Sequence, residues 1–235
     1  MFKINLFCAM CHEDALENKV TMSELNESEI YNFKCSNGHD TSITLTNFKF
    51  EILFQIGAHA INDGYYREAI SSFSSAVERA YEAITKIMLL RAEVSYAEIL
   101  NFWKTVSKQS ERQLGAYLSI YLATMKSTPP TMPQKLTEFR NLVIHNGRLP
   151  TREEALDYGQ KSLDLIRQLT AIMRNNFDDE ANKYQFYTIK EKKWQGKYRV
   201  STTIDSIINW QLADEDFQKI PLEVALTSMQ NYVEN

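Results

Sequence analysis

The chain has 235 residues, of which 44% are hydrophobic and 11% aromatic, and it contains only 7 glycines and 5 prolines. This composition excludes a disordered or loop-rich chain and favours a compact, mainly helical protein with a sizeable core. The formal net charge of −4 excludes a uniformly basic surface of the kind that coats nucleic acid. No segment approaches the ~20 apolar residues of a membrane span or has the pattern of a secretory signal, so we expect a cytoplasmic protein without a membrane partner.

The first 48 residues differ in pattern from the rest of the chain. Short segments of alternating apolar residues, at 3–7, 30–35 and 41–45, surround three cysteines and enclose a polar stretch. Alternation with a period of two is typical of strands. The sequence therefore predicts a small β module over residues 1–48.

Helical periodicity begins near residue 50 and first predicts a helix that ends near Asp63 and Gly64. The next helix is long and carries one apolar stripe, formed by Phe73, Val77, Ala80, Ile84 and Ile87. Glu78, Arg79, Glu82 and Lys86 lie towards the other side, and we expect that side to be a solvated polar face.

Several further helices are predicted by periodicity and by their end signals. A helical region covers 93–126, the proline-rich stretch 127–133 breaks it, and a helix from 133 to 145 ends at Asn146 and Gly147. Thr151 and Glu154 form a capping box that starts a helix reaching about residue 174. After residue 176 we expect a helix and then a hairpin over 183–204, followed by terminal helices over 204–217 and 220–233. The chain thus divides into a module at 1–48, a helical bundle at 49–176 and a C-terminal extension at 177–235.

The cysteines have the spacing of a metal site. A Cys-x-x-Cys turn directs two thiolates at one ion, and Gly38 permits a second turn that lets a histidine act as the fourth ligand. The spacing resembles that of a zinc ribbon and predicts a closed, structural zinc site in a module too small to have much core of its own. The predicted ligands are Cys8, Cys11, Cys35 and His39. His12 is a competing fourth ligand, free thiols are the alternative, and a redox Cys-x-x-Cys is disfavoured because no βαβ pattern follows it.

The helix at 133–145 places a cation beside its apolar face. Leu136, Phe139 and Val143 share one stripe, and Arg140 lies about 65° from its centre. A charge at this position requires a partner. His145 lies about 140° from Arg140, so we expect the two side chains not to meet on an undistorted helix. Either the helix unwinds near Gly147, or a second subunit brings the groups together; alternatively, Arg140 pairs with a nearby glutamate and His145 stabilises the helix C-terminus.

The segment Arg140-Asn141-x-x-x-His145, followed by Asn-Gly and a capped helix, resembles the Arg-x4-6-His motif of the HEPN superfamily. The long amphipathic helix that contains GYYREAISSFSSAVERAYEAITKIMLL is also similar to that family, and the resemblance covers about 50–174. It implies a HEPN-like helical bundle that dimerises so that two Arg-His motifs face each other across a two-fold axis. Many members are metal-independent endoribonucleases in phage defence, toxin-antitoxin or RNA-processing systems.

The residue types of this motif suit RNA cleavage by a neighbouring 2'-hydroxyl. A guanidinium stabilises the negative charge that builds on the phosphoryl oxygens, and an imidazole moves a proton to or from the reacting oxygens. We assign phosphate binding to Arg140, general acid/base work to His145 and orientation to Asn141. No cluster of Asp and Glu lies at ligand spacing near the motif, so we expect no catalytic metal.

A basic and aromatic stretch lies between residues 183 and 199. Lysines and arginine could follow a phosphate backbone while aromatic rings stack on bases, or the same pattern could belong to a hairpin whose exposed edge carries lysines. The candidate RNA contacts are Lys190, Lys192, Lys193, Trp194, Lys197 and Arg199.

The sequence therefore predicts a cytoplasmic, homodimeric HEPN-type endoribonuclease with a structural zinc ribbon, in a defence or stress role. A neutralising or activating protein partner fits such a role. Two other functions fit the same residues: a catalytically silent HEPN-like scaffold that binds a protein or a ligand, and a zinc-ribbon adaptor for nucleic acid.

Overall fold

The computed structural model of the chain describes residues 4–8, 10–11, 19–22, 25–204 and 206–231. This part of the protein is mainly helical, with two small sheets. The chain forms two compact units: the smaller contains residues 1–47 and 185–205, and the larger contains 48–184 and 206–235. We call them the small unit and the helical unit.

The elements described are, in chain order, β1 (Ile4–Phe7), β2 (Lys19–Met22), β3 (Ile30–Lys34), β4 (Asp40–Leu45), α1 (Lys49–Asn62), α2 (Tyr66–Arg91), α3 (Tyr96–Val106), α4 (Ser110–Met125), α5 (Gln134–His145), α6 (Arg152–Lys190), β5 (Tyr198–Thr202), α7 (Glu215–Lys219) and α8 (Leu222–Asn231).

The core of the helical unit follows the predicted stripe of α2. All five stripe residues, from Phe73 to Ile87, are buried, which confirms the helical period. The prediction of a solvated opposite face is wrong at Lys86, which is also buried. Its Nζ lies 2.5 Å from Glu82 Oε1 and 5.1 Å from the centroid of the Trp103 ring, so packing of α3 covers this side of α2.

Three helices approach one another closely around a single ring. A Cβ atom built on Gly57 of α1 or on Gly159 of α6 would lie 2.7 Å from the ring of Phe73. Real Cβ contacts are not this short, so only glycine fits at either position without a shift of the ring. The two glycines thus allow α1 and α6 to pack directly against α2.

The segment that follows residue 205 does not form the terminal helix predicted over 204–217. Its backbone groups bond instead to side chains of α1: Ile207 N–H donates to Gln55 Oε1 at 3.0 Å, and Trp210 N–H donates to Glu51 Oε1 at 2.9 Å. These partners replace the bonds of a regular helix. Helical structure resumes in α7 at Glu215 and in α8 at Leu222.

The helix predicted to end near residue 174 is longer than expected. The capping box is confirmed, because Thr151 Oγ1 accepts from Glu154 N and Glu154 Oε2 accepts from Thr151 N. The element α6 then continues to Lys190 across a kink at Phe177, where φ is −143° and ψ is 32°. None of the helices described combines the length and apolar character needed to cross a membrane.

The described residues of the small unit form two sheets. One consists of antiparallel β1 and β2, and β2 lies in the stretch for which the sequence indicates only polar residues. The other has the order β3-β4-β5. The predicted C-terminal hairpin is wrong, because β5 pairs in parallel with β4, in a register that places Thr41 opposite Tyr198. Asn47 reinforces this connection: its Oδ1 accepts from Ile204 N at 2.8 Å.

Candidate functional site

The four predicted metal ligands converge in the small unit. Their ligand atoms all lie within 4.8 Å of one another, and the three cysteines are buried. The sulfur atoms of Cys11 and Cys35 are 3.7 Å apart, and His39 Nδ1 lies 3.5 Å from each of them and 3.7 Å from Cys8 Sγ. Within the described residues, no other group of three or more His, Cys, Asp and Glu side chains converges in this way.

These distances are those of a tetrahedral site. Metal–sulfur and metal–nitrogen bonds of ~2.3 and ~2.0–2.1 Å at tetrahedral angles place two sulfurs about 3.8 Å apart and a sulfur and a nitrogen about 3.5 Å apart. The separation of Cys11 Sγ and Cys35 Sγ and those of the three sulfurs from His39 Nδ1 lie close to these values. The Cys3His group can therefore hold a metal ion such as zinc, and the competing ligand His12 lies outside the described residues.

Backbone geometry places the ligands. Cys11 N–H donates to Cys8 O at 3.1 Å and closes the first turn. In the second turn Gly38 has a φ of +81°, a conformation that favours glycine, and its N–H donates to Cys35 O at 2.8 Å. Edge-on contact with the Tyr198 ring, at 5.8 Å between centroids, orients the His39 imidazole.

Hydrogen bonds determine which thiol ionises first. Burial is the largest influence on Cys11, and together with the bonds it donates to Cys8 and Cys35 it raises the Cys11 pKa to about 11. Burial also acts to raise the pKa of Cys35, but bonds from His39 N–H, the Cys11 thiol and Asn37 N–H outweigh it and lower the pKa to about 6. Of these two thiols, Cys35 therefore ionises more readily to the thiolate, the form that binds metal.

The second site lies at the C-terminal end of α5, in the helical unit. Arg140 Nη1 is 3.1 Å from Asn141 Oδ1 and 3.3 Å from His145 Nε2. Arg140 Nε donates to Ser74 Oγ at 3.1 Å, and Nη2 lies 3.6 Å from Glu78 Oε1. The guanidinium has five N–H groups, and these four partners face four of them. Among the described residues, the second N–H of Nη2 has no partner.

The expectation that Arg140 and His145 would not meet on an undistorted helix is wrong. The helix runs regularly to His145, Gly147 follows at a φ of +73°, and the two side chains meet within one chain. Angles around a helix describe the directions of the Cα–Cβ bonds, whereas a long arginine side chain spans the ~7.5 Å rise between positions five apart. A second subunit is therefore not needed to bring the groups together.

The Arg140–His145 contact can run in one direction only. A guanidinium has no acceptor, so Nη1 is the donor and Nε2 of His145 is the accepting nitrogen of this contact. His145 and Asn141 are exposed and Arg140 is half-buried, so the group is accessible from solvent.

Sequence reasoning missed four residues around this site. Ser74 and Glu78 lie one turn apart on α2 and both contact Arg140. The Tyr158 hydroxyl lies near Ser74, which acts to lower its pKa, although burial is the larger influence and raises it. Arg67 Nη2 donates to Ile144 O at 3.5 Å. The signal available in the sequence was a serine and a glutamate at a spacing of four beside an apolar stripe.

The candidate RNA contacts have different environments. Lys190, Lys193, Lys197 and Arg199 are exposed, and Trp194 is half-buried. Lys192 is held inside the small unit: its Nζ lies 2.7 Å from Glu29 Oε2 and 2.8 Å from Thr44 Oγ1. Lys192 therefore supports the fold of this unit.

Comparison with known proteins adds no relative: no family model, no curated protein and no solved structure matches the chain.

Proposed function

We propose that the protein is a HEPN-type endoribonuclease whose reaction centre is the Arg140-Asn141-His145 group. The observation that carries this proposal is the 3.3 Å contact between Arg140 Nη1 and His145 Nε2 at the exposed end of α5. A fixed cation and a proton-accepting nitrogen within one hydrogen bond of each other are the two groups that cleavage by a 2'-hydroxyl requires.

In the proposed reaction the unpartnered N–H of Arg140 Nη2 binds a phosphoryl oxygen of the scissile phosphodiester. His145 Nε2 exchanges its contact with Arg140 for the 2'-hydroxyl and accepts the proton of that hydroxyl, while the 2'-oxygen attacks phosphorus. The bond between phosphorus and the 5'-oxygen breaks, and the leaving 5'-oxygen takes up a proton from water. The products are a 2',3'-cyclic phosphate and a 5'-hydroxyl. Proton transfer of this kind contributes typically ~10²- to ~10⁴-fold to the rate, and Asn141 keeps the guanidinium oriented.

We propose that the active form is a homodimer in which two motifs share one cleft. The resemblance to HEPN proteins suggests this arrangement, and two exposed leucines near the motif support it. Leu142 is 43% exposed and Leu149 is 81% exposed. An interface centred on the motif would remove both side chains from water. Light scattering coupled to gel filtration measures the mass, and a monomer at micromolar concentration would contradict this part of the proposal.

The small unit is proposed to hold a structural zinc ion and to contact RNA. Three thiolates and one imidazole are a ligand set that zinc prefers. Exposed Lys190, Lys193, Lys197 and Arg199 supply the cations for a phosphate backbone. A role in cytoplasmic defence or stress response, controlled by a protein partner, is consistent with an endoribonuclease of this kind.

The reaction is tested with a single-stranded RNA oligonucleotide and no added divalent ion. The wild type should release fragments that end in a 2',3'-cyclic phosphate, and an oligonucleotide with 2'-deoxyribose at the cleaved position should stay intact. Arg140→Ala and His145→Ala should each lower the rate by at least about 10²-fold. Arg152→Ala is the control, because this exposed arginine pairs with Glu223 and not with the motif.

Two observations favour other functions, and the same assay separates them. The contacts of Arg140 with Ser74 and Glu78 would also suit a silent scaffold, for which neither motif variant changes RNA degradation or cellular toxicity. The exposed cations near the Cys3His group would suit a nucleic-acid adaptor, for which Lys197→Ala and Arg199→Ala weaken RNA binding while Arg140→Ala does not.

A further inference from the structure

We infer that Ser74 and Tyr158 are positioning residues that set the orientation of the Arg140 guanidinium for phosphate binding. This inference rests on the proposed endoribonuclease function and extends it to two buried hydroxyls on α2 and α6. Neither residue belongs to the Arg-x4-His pattern.

The contacts form one chain from the core to the exposed site. Arg140 Nε donates to Ser74 Oγ at 3.1 Å. The Tyr158 hydroxyl is near enough to Ser74 for that serine to act against the rise of its pKa. Ser74 is 8% exposed and Tyr158 is 3% exposed, so both side chains are buried. The Tyr158 ring lies 6.3 Å from the ring of Phe139, the residue that precedes Arg140.

Nε is the atom through which the orientation of the whole group is best controlled. The guanidinium is planar, so a bond that fixes Nε–H in one direction also fixes the directions of Nη1 and Nη2. Nη1 then faces Asn141 and His145. Without the bond to Ser74, the guanidinium would keep only exposed or partly exposed partners: Glu78 at 3.6 Å, and Asn141 and His145 on Nη1.

Burial makes this support rigid. Burial is the largest influence on Tyr158 and raises its pKa, so the phenol keeps its proton at neutral pH. Ser74 is the hydroxyl group beside the Tyr158 phenol. The Arg140–Ser74 bond and the Phe139–Tyr158 ring contact thus connect three helices, α2, α5 and α6, where the arginine leaves the core.

A purely structural role predicts a different outcome from a positioning role. If the hydroxyls only join helices, their removal lowers stability and leaves the turnover of the folded enzyme unchanged. If they position Arg140, their removal lowers kcat with little change in KM, because a misaligned guanidinium affects the transition state more than ground-state binding. The split between kcat and KM therefore separates the two roles.

The experiment measures RNA cleavage and thermal unfolding for Ser74→Ala, Ser74→Thr, Tyr158→Phe and Ser162→Ala. Thr keeps the hydroxyl at position 74. Ser162 is the matched control, since it is a buried serine of α6 whose Oγ donates to the Tyr158 backbone carbonyl at 2.8 Å. Ser74→Ala should lower kcat about ten- to hundredfold. Tyr158→Phe should lower it several-fold, and Ser74→Thr and Ser162→Ala should keep most of the wild-type value.

The results distinguish the inference from the function on which it rests. Wild-type kcat in both folded Ser74→Ala and folded Tyr158→Phe, with Arg140→Ala inactive, overturns the positioning role and leaves the nuclease intact. If Ser74→Ala does not fold, Tyr158→Phe alone decides, because it keeps the ring and removes only the hydroxyl. If the wild type does not cleave RNA and Arg140→Ala shows the same absence of cleavage, the proposed nuclease function is itself overturned.

Discussion

Glu51 should make the protein less stable as the pH rises through neutrality. Its carboxyl group is 1% exposed, and its two oxygens accept from Phe48 N at 2.6 Å and Trp210 N at 2.9 Å. Burial is the dominant influence and raises the pKa from 4.5 to about 8. The folded protein therefore keeps this proton over a pH range in which the unfolded chain has lost it.

The sign and size of the effect follow from this difference. Below pH 4.5 Glu51 is protonated in both the folded and the unfolded state, so it does not make the free energy of unfolding depend on pH. Between pH 4.5 and 8 only the folded state holds the proton, so the free energy of unfolding falls by about 1.4 kcal/mol per pH unit. From pH 5 to pH 7 the loss is about 3 kcal/mol. Glu51→Gln has no proton to lose and should remove this slope. It also replaces one acceptor by an amide donor, which should cost about 1–3 kcal/mol at pH 5.

Urea unfolding followed by tryptophan fluorescence measures the effect, since Trp210 is buried beside the carboxyl. The wild type minus Glu51→Gln difference in unfolding free energy should fall steadily from pH 5 to pH 8, from a positive value to a negative one. Glu154→Gln is the control, because this carboxylate also accepts an N-terminal N–H of its helix but is 33% exposed. Parallel wild-type and Glu51→Gln curves across this range would refute the assignment of a buried, protonated Glu51.

Three further outcomes are expected. The purified protein should contain one metal ion per chain by elemental analysis, and Cys35→Ser should lose it. Met10→Leu should keep the ion, because Met10 is exposed and lies between two ligands in the sequence. Equal metal content in both variants would contradict the site. Lys192→Ala should destabilise the small unit by about 1–3 kcal/mol because it leaves partly buried acceptors unpaired, whereas Lys193→Ala should stay within about 0.5 kcal/mol in the same thermal unfolding assay. Gly57→Ala should destabilise by about 1–3 kcal/mol, since its Cβ would meet a ring of α2 at 2.7 Å. Gly115→Ala, whose Cβ meets nothing within 4 Å, should stabilise α4 by about 0.5–1 kcal/mol; an equal loss in both glycine variants would contradict the packing.

Periodicity and turn chemistry were enough to predict the local features. The buried stripe of α2 repeats with the helical period, the Thr151 capping box needs only residues three apart, and Gly38 supplies a turn between two ligands. Each of these features depends on neighbours in the sequence. The convergence of Cys8 and Cys35 was also predictable, because metal-ligand spacing indicates a shared ion.

Contacts between distant segments could not be predicted in the same way. Periodicity shows which side of α5 is apolar, but it does not say that α2 supplies Ser74 to Arg140 or that α1 supplies Glu51 to Trp210. Residues 204–214 contain enough apolar side chains to suggest a helix, and the side-chain acceptors of α1 override that preference. Lys86 appeared polar and exposed because its aromatic partner, Trp103, belongs to another helix.

The parallel pairing of β4 with β5 determines the order in which a nascent chain can fold. Thr41 leaves the ribosome early, but its strand partner Tyr198 is translated only after the intervening helices. At 5–20 residues per second this delay is roughly ten to thirty seconds. During that interval the edge of β4 has no β5 beside it, so a chaperone or a passing polypeptide has its best opportunity to bind the three-cysteine region before synthesis is complete.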